Sequence, residues 1–352
     1  MDLIREKLAQ LEEKSLQLQK QGKYGESLDT LEEAFNLKIN AYGENSEEVI
    51  KTSEKLCELC NLIAMVCLTR ERFDACFEFL KKAKVLCQNS PNFKAVTYNN
   101  MACYYRRTGK IRTALDYLNK ALQIEITQEK SQSLADTHLN LCAVLSQLGK
   151  HESALEHVLM SIVLLQEEYI QNIGRNINNN NQNTNFNNEE YKEFNDRIAV
   201  LAIAFHNLGV ELEFLKRYEE AIQTYKKAVK FSIENLGENH NLVENLKNVL
   251  AQAEKQIQQQ QENQIKRKII KGNTTSIRIN KATGIYGPKD QEQKRATTTY
   301  TIQNQKQNNI NKSPKTSLRP LTSNYATNKY QSQKNDNIKQ FSENSINDVS
   351  PE

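Results

Sequence analysis

Ala95-Val-Thr-Tyr98-Asn-Asn100-Met101-Ala102-Cys-Tyr-Tyr105, followed by Gly109-Lys-Ile111, Ala114-Leu115, Leu118 and Ala121-Leu122, reads as two amphipathic helices joined by a tight turn. Apolar residues recur every three or four positions on both sides of the glycine, the period of a helix with one buried face. The same pattern returns without gaps as Ala135, His138, Asn140-Leu-Cys142, Leu145, Gly149-Lys-His151, Ala154-Leu155, Val158 and Ser161-Ile162. It returns again as Ala202, Phe205, Asn207-Leu-Gly209, Leu212, Arg217-Tyr218, Ala221-Ile222, Tyr225 and Ala228-Val229. Self-similarity at a period of some tens of residues is the signature of a stacked array, in which each unit buries its apolar face against its neighbours.

Two weaker copies come first. One is carried by Leu11, Leu18, Gly22-Lys-Tyr24, Leu28, Leu31 and Ala34; the other by Ala64, Leu68, Phe73, Cys76, Leu80 and Ala83. The small residues let neighbouring helices approach closely, and large flanking residues fill the remaining grooves. The pattern resembles the tetratricopeptide repeat over about residues 8–235. The second-helix small residues Ala34, Ala83, Ala121, Ser161 and Ala228 are 49, 38, 40 and 67 apart, all above the family's roughly 34. The extra length lies between units, as in repeats of kinesin-light-chain type. The linkers Tyr42-Gly-Glu-Asn-Ser-Glu-Glu-Val49 and Leu236-Gly-Glu-Asn-His-Asn-Leu-Val243 are similar to that subtype's connector. No unit carries Trp, and the second lacks a turn glycine. The resemblance implies an all-α, right-handed superhelical solenoid of about five helix pairs, near 8–40, 46–88, 92–126, 131–171 and 190–235. A capping helix is expected over 239–264 and an Asn-rich loop insert over 172–189.

Charge divides the 352 residues. Residues 1–264 hold 31 Lys and Arg against 37 Asp and Glu, a net of −6, whereas 265–352 hold 16 against 6, a net of +10. The second part loses apolar periodicity and fills with Asn, Gln, Ser, Thr and Lys, which predicts a disordered basic tail. No stretch approaches the roughly 18 apolar residues of a membrane span. The start, Met1-Asp2-Leu3-Ile4-Arg5-Glu6, has no secretory apolar region. Seven cysteines in apolar surroundings suit reduced thiols. The expectation is a cytoplasmic protein that binds no membrane.

Chemistry is hard to find. Cys57-Glu-Leu-Cys60 has no second pair and no histidine at zinc spacing, and core packing explains both thiols. The histidines His138, His151, His157, His206 and His240 form no metal motif, and no glycine loop cradles phosphate. No enzymatic activity, metal or cofactor is expected.

Binding has better candidates. Asn100, Asn140 and Asn207 hold the same place in three successive first helices, which line the concave face of such arrays. A column of amides there suits an extended peptide backbone, and the family resemblance supports that use. The other reading is that each amide bonds within its own helical surroundings and is structural. A carboxylate clamp is disfavoured, because its cation sites hold Asn99, Ile203 and Asn207. Arg106 and Arg107 favour an acidic ligand, or are a solvated helix end. In the tail, Lys266, Arg267, Lys268 and Lys271 form a basic cluster, and Ser313 before Pro314 is a candidate phosphosite. Spread cations suit a polyanionic surface such as acidic tubulin tails. Tyr286, Tyr300, Tyr325 and Tyr330 are too sparse for a base-stacking platform, which disfavours nucleic acid. The expected function is a protein-interaction scaffold in a cytoskeletal, ciliary or axonemal assembly, the alternative an RNA-associated adaptor acting through the tail.

Overall fold

A computed structural model describes residues 2–128, 133–180, 188–259 and 262. Among them every regular element is helical, with no strand. Five helix pairs follow one another: α1 (Asp2–Lys20) with α2 (Tyr24–Tyr42), α3 (Glu47–Thr69) with α4 (Phe73–Leu86), α5 (Pro91–Arg107) with α6 (Ile111–Glu125), α7 (Leu134–Gln147) with α8 (His151–Asn180), and α9 (Asn188–Phe214) with α10 (Tyr218–Leu236). Partners pack on each other, consecutive pairs pack side by side, and the first helices α3, α5, α7 and α9 touch in sequence. This is a helical solenoid. The Asn-rich stretch, expected as a loop over 172–189, is helical as far as Asn180 and again from Asn188. Extending a helix already formed adds a hydrogen bond per residue, enough to carry the modest penalty of asparagine. Residues 181–187 lie outside the described ones, as does the whole of 265–352.

The turn inside each pair is the same turn five times. Gly22, Glu71, Gly109, Gly149 and Lys216 all have left-handed φ, between 59° and 79°. The N–H that follows each one bonds a carbonyl five residues back, as in Lys23 to Leu18 and Arg217 to Leu212, the Schellman closure of a helix end. Glycine adopts this conformation freely, whereas Glu71 and Lys216 adopt it at a cost of about 1–2 kcal/mol. The second pair therefore keeps its turn without the glycine whose absence its sequence shows. The two similar linkers also share a conformation. Gly43 lies at φ 84°, ψ 154° and Gly237 at φ 86°, ψ 155°, a region only glycine visits readily. Beyond Gly237 a helix runs over 241–259, with Val243, Leu246, Ala253 and Ile257 buried.

Packing inside each pair follows a volume rule. Nineteen residues before Ala34, Ala83, Ala121, Ser161 and Ala228 stand Ser15, Ala64, Ala102, Cys142 and Gly209, all buried. Sixteen residues after those stand Leu31, Leu80, Leu118, Val158 and Tyr225, buried as well. Leucine is matched with Ser or Ala, the smaller valine with the larger cysteine, and tyrosine with glycine. At Gly209 a Cβ would lie 2.5 Å from the Tyr225 ring. Close-packed interiors leave room for one large member per contact, and the two positions trade volume.

Candidate functional site

The polar residues of the first helices keep the same register as the small ones. Asn61 of α3 and Asn99 of α5 each stand three residues before the small residue of their helix. Asn61 donates from Nδ2 to Thr97 Oγ1 at 2.9 Å, and its Oδ1 accepts from Asn100 Nδ2 at 2.9 Å. Asn99 repeats this one pair later, donating to Thr137 Oγ1 at 2.8 Å and accepting from Asn140 Nδ2 at 2.9 Å. A chain of side-chain amides thus ties α3 to α5 and α5 to α7, with Asn99 and Asn100 turned to opposite neighbours. A buried amide costs free energy unless paired. Here each pairing crosses between helices, so the cost is offset only when the helices are docked.

This places the asparagines expected to hold a ligand. Asn100, Asn140 and Asn207 are 5%, 4% and 0% exposed. Asn100 and Asn140 each donate an amide hydrogen to the neighbouring helix. Of the two readings of this column, the geometry of Asn100 and Asn140 fits the one in which the amides bond within the array. Arg107 is exposed with Nη2 3.4 Å from Glu71, and Arg106 is half-buried. Cys57 and Cys60 sit in one buried cluster with Leu28, Leu56 and Leu59. Burial pushes the Cys60 thiol up to about 12, the opposite of an activated thiolate. Among the described residues no three His, Cys, Asp or Glu side chains are grouped to hold a metal, and no helix is long and apolar enough to cross a membrane. Lys266, Arg267, Lys268, Lys271 and Ser313 lie outside the described residues.

The seam between α1 and α3 breaks the pattern, and there the surface opens. The register that supplies Asn61 and Asn99 supplies Glu12 in α1, and the places of Thr97 and Asn100 are taken in α3 by Leu59 and Leu62. A carboxylate finds no donor on two leucines. Glu12 bonds instead to Lys38 of α2 and to Lys55 Nζ of α3 at 3.0 Å. Lys38 also reaches Thr52 Oγ1 at 2.8 Å. Burial raises the Glu12 carboxyl, but the two lysines outweigh it and hold it below the usual carboxylate range. What remains is a depression of about 580 Å³, within the size range of ligand clefts. Leu16, Leu31, Leu59 and Leu62 line it, with Glu12, Glu13, Glu58, Gln19 and Lys55 at its polar parts. Leu16 is 52% exposed there. Sequence reasoning passed over this site because it looked for polar residues in the groove; the signal was their replacement by Leu59 and Leu62.

Farther along, ions replace amides. Arg197 of α9 lies 2.8 Å from Asp136 of α7 and 2.5 Å from Glu168 of α8. Glu211 of α9, fully buried, meets His151 Nδ1 at 2.8 Å. Burial raises the Glu211 carboxyl, with Ser146 and His151 opposing. His138 and His157 meet at 2.8 Å through their Nδ1 atoms, and burial, then the charge of His157, pushes His138 down to about 4. These groups join pairs; none combines an activated nucleophile with an open cleft.

Tetratricopeptide-repeat family models match residues 56–125 and 202–232. No curated protein matches the chain. Similar solved structures include a Podosopora anserina putative kinesin light chain with nearly identical TPR-like repeats, 11% identical over 64% of this chain and 95% of that one, at a TM-score of 0.39. MamA is 17% identical over 62% and 95% of the two chains, at 0.38. The Cut9–Hcn1 hetero-tetramer of APC/C is 14% identical over 66% and 40%, at 0.39.

Proposed function

The chain is a tetratricopeptide-repeat protein, and we propose that it is a non-catalytic interaction scaffold that holds a peptide segment of a partner on the first-helix face of its N-terminal pairs. The observation that carries this reading is the α1–α3 depression, where the exposed Leu16 lies beside charged groups. Apolar area surrounded by polar groups is the arrangement that binds peptide side chains with both affinity and register. Selection of a random peptide library on the full chain tests it. Peptides that bind are expected to lose Leu16→Asp, a substitution at an exposed site that leaves the core in place. Peptides that hold the variant equally well overturn the assignment.

The assembly served, in this reading, is cytoskeletal or ciliary, reached through the basic tail. Its support is the net +10 of residues 265–352 with the cluster Lys266, Arg267, Lys268 and Lys271, together with the two kinesin-light-chain-like linkers. Phosphorylation of Ser313 adds negative charge and weakens such docking. Co-sedimentation with microtubules is expected at low salt and is lost as salt screens the tail. Retention on RNA without microtubule binding favours the adaptor alternative instead.

A further inference from the structure

The acidity of the array is not spread along it. Residues 1–62, which hold every lining residue of the depression, carry 13 Asp and Glu against 8 Lys and Arg, a net of −5. Residues 63–264 carry 24 against 23, a net of −1. The depression is lined by Glu12, held by Lys38 and Lys55, and by Glu13 and Glu58, beside the exposed Leu16 and three buried leucines. A ligand for it combines apolar side chains with closely flanking cations. One segment of this chain has that composition: Ile265-Lys-Arg-Lys-Ile-Ile-Lys271 holds three isoleucines among four cations in seven residues.

We propose that the α1–α3 depression takes the segment Ile265–Lys271 of a second copy of this chain, joining copies head to tail; the proposal rests on the depression being the peptide-holding site. In chain order the receptor belongs to the first two pairs and the segment follows the fifth. A chain with two complementary groups, one early and one late in its sequence, joins copies through a heterologous contact, which propagates unless it closes. Isoleucine side chains replace water over the exposed Leu16, and that apolar burial supplies the affinity. Cations opposite Glu13 set orientation and speed the encounter.

Sedimentation velocity of the full chain tests this. At about 0.05 M salt the wild type is expected to grow in mass with concentration, and at about 0.5 M to return to monomer, since the Debye length falls well below 10 Å. Replacing Lys266, Arg267, Lys268 and Lys271 by Gln, or Glu13 and Glu58 by Lys, each abolishes growth. Leu16→Asp does so through the apolar side, and circular dichroism checks that each variant is folded. Mixing the tail variant with the rim variant is decisive: an intact rim on one meets an intact tail on the other, giving a one-to-one complex that grows no further. A wild type that stays monomeric overturns the proposal, as does a mixture that fails to pair. So does compaction by the tail that is independent of concentration, because it puts the chain's own segment in the depression. If library peptides still depend on Leu16 while the chain stays monomeric, the peptide-holding function stands and only this inference falls.

Discussion

The seam between α1 and α3 and the seam between α5 and α7 share one register and have opposite chemistry. In the second, Asn99 meets Thr137 and Asn140, every partner is buried, and the helices are held by directional bonds. In the first, Glu12 stands with Leu59 and Leu62, and the polar group turns outward to lysines. An amide facing an amide closes a seam, because each leaves the other unpaired if it opens. A carboxylate facing leucines keeps it ajar, because neither gains from contact. The place where an array binds is thus set by a lapse in the pattern that holds it together.

Four measurements break or sharpen that contrast. The largest effect is expected at Arg197, whose removal leaves Asp136 and Glu168 as close carboxylates with their shared cation gone. Arg197→Met is expected to cost about 3–5 kcal/mol in urea denaturation, and adding Asp136→Leu should recover part of it. A loss under 1 kcal/mol would show that the α7–α9 seam does not depend on its ions. Next comes Asn99→Ala, which strands the Thr137 hydroxyl and the Asn140 amide. About 1–3 kcal/mol should be lost, with peptide binding at the first seam unchanged. Weakened binding with an unchanged melting temperature would assign the asparagines a ligand role.

Gly209→Ala tests packing where polar pairing plays no part. Its Cβ meets the Tyr225 ring, and the overpacking is offset in part by the better helix propensity of alanine, for a net loss of about 1–2 kcal/mol. Tyr225→Leu in the same chain should relieve the clash, and failure to do so refutes the volume rule. The smallest effect belongs to His138. Its folded pKa, near 4, lies below the ordinary value of about 6.5. Its contribution is therefore complete above that ordinary value and is lost as pH falls toward the folded one. Between pH 7 and pH 5 the wild type should lose on the order of 1–2 kcal/mol that His138→Gln keeps. Equal losses in both proteins would remove the histidine pair from the account.

The pairs were legible from sequence because Ala102, Cys142 and Gly209 fall in step with Ala121, Ser161 and Ala228 over a short, fixed distance. The turns of the second and fifth pairs were not marked, since Glu71 and Lys216 take a backbone conformation that their side chains do not advertise. The helical stretch of 172–180 was missed for a related reason: low complexity spoke for a loop, while continuation from a nucleated helix spoke against it. The asparagines were visible as a column but not as a bonded one. Their direction depends on Asn61 and Asn99, one turn of the seam away on other helices, and a single helix's periodicity carries no information about its neighbour's donors. Thr97-x-x-Asn100 and Thr137-x-x-Asn140 were the trace of that pairing.

The exchange of volume between Gly209 and Tyr225, and between Cys142 and Val158, limits how such a protein can be rearranged. A first helix moved alone from the fifth pair to the third would set Gly209 against Leu118 and leave a hole. The reverse transfer would drive the Ala102 methyl into the Tyr225 ring. Whole pairs carry their match with them. The unit that recombination can shuffle, duplicate or delete without repair is the hairpin, and any graft whose breakpoint falls in the turn inherits two half-fits at once.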